Sequence, residues 1–213
     1  PVGRDGGLVG GAGLKELEYA AGASRAVVLG PGLGDGAGVS ALVRRAWRGL
    51  GVPLVLDADG LNRLSDARLG PARGQAVVTP HPGEARRLME RYGVEGDPTS
   101  ARERERVAAE LATAMECVAV LKGARTVVSD GTRVYVNTSG GPVLATGGTG
   151  DVLAGVIGGL IAQGANPFTA ACLGVLAHGR AGDAWARERR APGGMLAAEL
   201  AGQIAREVER LRG

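Results

Sequence analysis

Short apolar runs alternate with amphipathic segments along most of the chain. Ala26 to Leu29 is continuously apolar and ends in the loop Gly30-Pro31-Gly32-Leu33-Gly34. From Gly38 to Leu50, the residues Val39, Leu42, Val43, Ala46 and Trp47 recur at helical spacing with arginines between them, which predicts a helix with one buried stripe. Pro53 to Leu56 and Ala76 to Thr79 are two more apolar runs, closed by Asp57-Ala58-Asp59-Gly60 and by Pro80-His81-Pro82-Gly83. Pro82 to Tyr92 and Pro98 to Met115 read as helices, the second with Glu/Arg pairs on one face. Val118 to Leu121 is a fourth strand. Thr126 to Ser129 and Arg133 to Asn137 flank Asp130-Gly131, a strong hairpin signal. After Gly141 the pattern turns helical, over Asp151 to Gln163, Pro167 to Arg187 and Met195 to Leu211.

Four-residue apolar strands alternating with helices predict a mostly parallel sheet covered on both faces. The hairpin adds an antiparallel extension. No linker or repeat divides the chain, so residues 1–213 read as a single α/β domain. The one biased stretch is glycine-rich, from Gly3 to Gly13.

Composition narrows the function. Glycine supplies 38 of 213 residues, about 18% against a usual level near 7%, and it clusters in loops beside apolar runs. That placement suits tight turns and close approach of backbone to a ligand. The net charge of +3 is spread along the chain and only six residues are aromatic, which argues against a nucleic-acid partner. The longest apolar stretch, Val152 to Ala162, is 11 residues with three glycines, well short of the ~20 that span a bilayer. Cys117 and Cys172 sit inside apolar runs and read as reduced core residues. No export signal opens the chain, so a cytoplasmic location is expected.

In an open α/β sheet, ligands bind beyond the carboxyl ends of the strands. Five unusual loops fall there. The sharpest is Ala145-Thr146-Gly147-Gly148-Thr149-Gly150-Asp151, which runs into an apolar helix. Its backbone amides and the helix dipole suit a phosphate. A carboxylate there fits a base that takes a proton from an attacking hydroxyl; equally, Thr149 or Asp151 could simply cap the helix. Lys122, one of only two lysines, is followed by Gly123 and suits a nucleotide contact, or is an ordinary surface lysine. Asp57, Asp59 and Asn62 could line a polar pocket, hold a magnesium water, or form an Asx turn. His81, fixed between two prolines, reads as a substrate contact, and His178, mid-helix, as a core histidine. Gly30 to Gly34 lacks the spacing of a dinucleotide fingerprint.

Taken in order, Gly30-Pro31-Gly32-Leu33-Gly34, Asp57-Ala58-Asp59-Gly60-Leu61-Asn62, Thr79-Pro80-His81-Pro82-Gly83-Glu84, Lys122-Gly123 and Gly147-Gly148-Thr149-Gly150-Asp151 resemble the NAD(P)H-hydrate dehydratase family of the ribokinase-like superfamily, from Val27 onward. The resemblance implies a ribokinase-like three-layer sandwich with a mostly parallel central sheet. It also implies a repair reaction, in which the ring hydroxyl of hydrated NADH or NADPH is phosphorylated by ADP or ATP with Mg2+ and phosphate is then eliminated. Carried over by position, Asp151 is the base, with Gly148 and Gly150 in the anion hole. Lys122, Gly123, Ala124, Arg125, Thr126, Gly147, Thr149 and Gly150 hold the nucleotide. Gly32, Gly34, Asp57, Asn62, His81 and Asp151 meet the hydrate, and Glu84 positions magnesium through water. A homotetramer and an epimerase partner, fused or separate, are also implied.

Family members carry upstream a first strand, a small-residue loop touching the hydrate and a helix. This chain is expected to lack them and to leave a sheet edge open. A sugar or vitamin kinase of the same superfamily would share Gly147 to Asp151 but has no reason for His81 between prolines. A non-enzymatic nucleotide sensor is the third reading.

Overall fold

The computed structural model describes residues 10–65, 69, 70, 72 and 75–212. In chain order the elements are α1 (Gly10–Gly22), β1 (Val27–Leu29), α2 (Ala37–Trp47), β2 (Leu54–Leu56), α3 (Asp59–Ser65), β3 (Ala76–Val78), α4 (Pro82–Tyr92), α5 (Arg104–Met115), β4 (Val118–Leu121), β5 (Val127–Ser129), β6 (Val134–Val136), a 3-10 turn (Pro142–Leu144), α6 (Thr149–Ala162), α7 (Pro167–Arg189) and α8 (Ala197–Arg212).

The strands lie in the order β1-β2-β3-β4-β5-β6. β1 to β4 are parallel, and β5 and β6 add antiparallel to β4. Because the order never reverses, every crossover from β1 to β4 falls on the same side of the sheet. Alternate strand residues therefore face two different layers. Leu54, Leu56, Val78, Ala119 and Leu121 pack against α2, α3, α4 and α5, with α1 outside α2. Val55, Val77, Val120 and Val128 face the other way. The first half of the chain leaves that face bare, and α6 and α7 return to cover it, with α8 packed on α7. The expected layered α/β architecture and the antiparallel hairpin are both present.

Most helix ends differ from the sequence reading by one to three residues, and three starts differ in kind. Pro98 to Glu103 is a series of turns, and α5 starts only at Arg104. The Asp97 carboxylate accepts hydrogen bonds from the Thr99 amide (2.9 Å) and hydroxyl (2.7 Å), a local alternative to helix. Asp59 opens α3 instead of closing a loop, and α6 starts at Thr149, two residues before Asp151. Of the glycine-rich start, residues 3–9 lie outside the described residues, and Gly10 opens α1.

Candidate active site

The carboxyl ends of β1 to β4 bring their loops to one edge of the sheet. At Gly30, φ is +136° and a side chain would collide with the carbonyl oxygen of Asp57, so only glycine lets the β1 and β2 loops meet this closely. Asp57, just past β2, is fully buried. Its Oδ1 lies 2.7 Å from Lys122 Nζ, and Glu84 Oε2 lies 4.0 Å from the same ammonium. Asp57 Oδ2 is buried without a hydrogen-bond partner. The Lys122 amide is tied to the Pro80 carbonyl at 2.8 Å.

The start of α6 lies over this cluster. A Cβ on Gly150 would stand 3.2 Å from Lys122 Nζ and 4.0 Å from Asp57 Oδ2. The residue before the helix, Gly148, adopts a left-handed conformation and offers no side-chain cap, so neither Thr149 nor Asp151 is the N-cap. The Thr149 hydroxyl instead turns back, with the carbonyls of Leu144 and Thr146 each 2.8 Å away. The first amides of a helix have no partner within it, and here they open beside an ammonium. Asp151 is exposed, and its carboxylate has no hydrogen bond or ion pair among the described residues.

His178, read from sequence as a core residue, is buried but not idle. Its Nε2 lies 2.9 Å from the Thr149 carbonyl oxygen and donates to it. Burial, with the Lys122 charge, lowers its pKa against the raising effect of that bond, so the ring is neutral at physiological pH. Its signal was its company: it sits one residue before a buried glycine on α7, Gly179, where a side chain would strike Ser139.

Beside α6 opens a cavity of about 590 Å³. Lys122, Gly123, Ala124, Arg125, Thr126, Thr149 and Gly150, all named from sequence as nucleotide contacts, line it. Gly147, Gly148 and Asp151 do not. The opposite wall, unforeseen from sequence, is the segment from Asn137 to Leu144, with Leu153, Val175 and His178 behind it. Asn137 Nδ2 ties that wall to the carbonyls of Ser139 (2.9 Å) and Val175 (3.4 Å), and the Gly140 amide donates to Asp183 at 2.9 Å.

The residues expected to meet a hydrate are arranged differently. The Gly34 amide donates to Asp59 Oδ2 at 2.8 Å, so Asp59 fixes the loop holding Gly32 and Gly34. His81 Nδ1 accepts from the amides of Gly83 (2.9 Å) and Glu84 (3.4 Å), while Glu84 Oε2 accepts from the His81 amide at 2.7 Å. His81 is thus the cap of α4 and half of a capping box, with its ring still exposed. Asn62 Oδ1 is taken by Arg87 at 2.9 Å. Among the described residues, no three His, Cys, Asp or Glu side chains converge as a metal cage.

Comparison with known proteins gives the family and the fold. Residues 12–206 match the family model described as NAD(P)H-hydrate dehydratase. The chain is 44% identical over 170 residues to a bifunctional NAD(P)H-hydrate repair enzyme of Moorella thermoacetica, covering 76% of this chain and 31% of that protein. It is 43% identical over 182 residues to an ADP-dependent (S)-NAD(P)H-hydrate dehydratase of Neisseria meningitidis, covering 82% and 60%. The crystal structure of a Bacillus subtilis ADP/ATP-dependent NAD(P)H-hydrate dehydratase, co-crystallized with ATP/Mg2+, superimposes with a TM-score of 0.75 at 30% identity, covering 91% of this chain and 71% of that one. The chain thus spans less than two thirds of the curated relatives it matches.

Proposed function

Because the chain belongs to the NAD(P)H-hydrate dehydratase family and shares its ribokinase-like fold, we propose that it restores (S)-hydrated NADH and NADPH by nucleotide-dependent dehydration. The observation that carries this reading is the exposed carboxylate of Asp151, unpaired among the described residues, in the first turn of α6 and next in the chain to Gly150, whose Cα side faces the Lys122 ammonium.

In this reading the cavity beside Lys122 to Thr126 holds ADP, or ATP, with the transferable phosphate toward the α6 amides. Asp151 accepts the proton of the ring hydroxyl as that oxygen attacks the terminal phosphorus. The bond from phosphorus to the leaving nucleotide breaks, and AMP departs when ADP is the donor. The ring nitrogen's lone pair then expels phosphate, which takes the C–O bonding electrons. Loss of a proton from the neighbouring carbon restores the dihydronicotinamide. Gly32, Gly34 and the exposed ring of His81 border the side on which the hydrate is placed.

The buried, unpartnered Oδ2 of Asp57 and the carboxylate of Glu84 make a fitting wall for Mg2+, an ion held by one or two carboxylates together with substrate phosphates. Magnesium bound there neutralises phosphate charge. Burial raises the Glu84 pKa, against the His81 amide and the Lys122 charge, which lower it.

The reading extends to a cytoplasmic homotetramer formed by one domain over residues 1–213, working with an epimerase. The free Cys117 and Cys172 support the location, the single continuous sheet supports one domain, and relatives named as bifunctional repair enzymes support the pairing. The test is the near-ultraviolet absorbance of NADH after mixing the protein with NADH hydrate, Mg2+ and either ADP or ATP. A rise with one nucleotide identifies the donor. A flat trace with both, or a stable phosphorylated product, defeats the proposal.

A further inference from the structure

Arg104 breaks three local rules at once. It is the first residue of α5, where the helix dipole disfavours a cation. It is buried, where a guanidinium is rarely left without a carboxylate, yet it forms no ion pair among the described residues. Burial lowers its pKa, and its Nε is left without a partner. Violations of this kind are expected where function is served elsewhere.

What the guanidinium does form is a clamp on backbone. Nη1 donates to the Pro98 carbonyl at 2.8 Å, and Nη2 donates to the carbonyls of Leu121 at 2.8 Å and Lys122 at 3.1 Å. Leu121 ends β4, and Lys122 begins the loop that lines the cavity. The fork takes up carbonyls at the point where the strand stops and its loop departs. It also lies directly behind Gly123, where a Cβ would stand 3.1 Å from Nη1 and 3.3 Å from Nη2. Among the described residues, no other side chain donates to both of these carbonyls.

We propose that Arg104 is a positioning residue for the nucleotide. Its guanidinium fixes the carbonyls of Leu121 and Lys122 and thereby holds the loop from Lys122 to Thr126 in the shape that receives the phosphates and base. Arg104 lies outside the cavity lining. The inference rests on the nucleotide assignment of this cavity, and it predicts an effect confined to one of the two substrates.

The experiment is calorimetric binding of ADP with Mg2+, and separately of NADH hydrate, to the wild-type protein, Arg104→Gln and Arg104→Lys. Losing the charged two-carbonyl fork weakens ADP binding about tenfold or more in Arg104→Gln. Lysine keeps a charged donor but not the planar fork, so Arg104→Lys weakens ADP binding only about threefold, while hydrate affinity stays within about twofold in both variants. Equal weakening of ADP and hydrate would mean a general structural role and overturn the proposal. Unchanged ADP affinity in a folded variant overturns it as well, and where Arg104→Gln does not fold, Arg104→Lys decides. A wild-type protein that binds no ADP would remove the nucleotide reading itself, a failure visible before any variant is compared.

Discussion

Lys122 and Asp57 are 65 residues apart in the chain and 2.7 Å apart in space, and the lysine's ammonium supports the first turn of α6 from below. The Asp57 side chain is 1% exposed and that of Lys122 is 18% exposed. Such a pair is weak evidence for stability, because desolvation offsets most of the attraction. Breaking it is another matter. Lys122→Met leaves a buried carboxylate uncompensated and is expected to destabilise the fold by about 3–5 kcal/mol. Adding Asp57→Asn to Lys122→Met should recover a large part of that loss. Denaturant unfolding of both single variants and the double variant checks the coupling, and strictly additive effects would show that the two side chains do not act as a pair.

Gly150 tests the same relationship from the ligand side. A methyl there would stand 3.2 Å from the ammonium, in a helical position where alanine is otherwise favoured over glycine by up to about 1 kcal/mol. Gly150→Ala is therefore expected to keep or raise the melting temperature while nucleotide-dependent turnover falls by about tenfold or more. Parallel melting and kinetic measurements check it. A variant that loses stability and activity together would place the effect in packing rather than in the phosphate site.

How much of this was legible varies with the residue. α4 matched its sequence bounds because Pro82 starts it and Gly93, at φ +72°, stops it. The strands were plain because both faces are buried, which leaves unbroken apolar runs. Lys122 stood out as one of two lysines among 25 basic residues. Arg104 did not, because 23 arginines make any single one unremarkable and its neighbours Glu103, Glu105 and Arg106 look like a solvated helix face. The wall from Asn137 to Leu144 was invisible for another reason: side-chain-to-backbone bonds and glycines on α7 place it, and neither leaves a period in the sequence. His81 carries a second role that the sequence did not show. Its position between prolines points to a ligand contact, and its ring nitrogen also caps α4, a use that no spacing in the sequence announces.

Asp151 should separate chemistry from folding. Its carboxylate is exposed and unpartnered among the described residues, so Asp151→Asn is expected to leave the melting temperature nearly unchanged. Turnover should fall by about 10²–10⁴, the usual contribution of a positioned base, with ADP affinity retained. Turnover at the wild-type rate would eliminate the base assignment.

His178 should act on turnover through the backbone it holds. His178→Met removes the donor to the Thr149 carbonyl, and one such bond is worth about 0.5–1.5 kcal/mol, so kcat should fall by roughly two- to tenfold. His178→Gln can still donate and should recover most of it. Steady-state kinetics on both variants give the answer. A glutamine variant as slow as the methionine variant would mean that ring volume, not the hydrogen bond, is what matters.

Glu84 links this site to pH. Burial is the largest influence on its pKa and raises it above the ordinary 4.5, and the repulsion of Asp57 adds to the rise, while the His81 amide, the Lys122 charge and His81 itself pull the other way. A carboxyl whose pKa is raised by folding binds its proton more tightly in the folded state than in the unfolded chain. Its contribution to stability is therefore fully present below the unfolded value and is lost as pH rises through the folded one. Glu84→Gln has no proton to lose and escapes that penalty. The melting temperature of the variant minus that of the wild type should accordingly become more positive as pH rises from about 4 toward neutrality, and titrating groups that do not interact with Glu84 cancel in the difference. A Mg2+ ion held beside the carboxylate would favour its ionised form, so the pH dependence of the difference should shrink when Mg2+ and ADP are both present. A difference that is flat with pH would show that the amide and the ammonium already balance burial. One that is steep but indifferent to Mg2+ and ADP would place the metal away from Glu84.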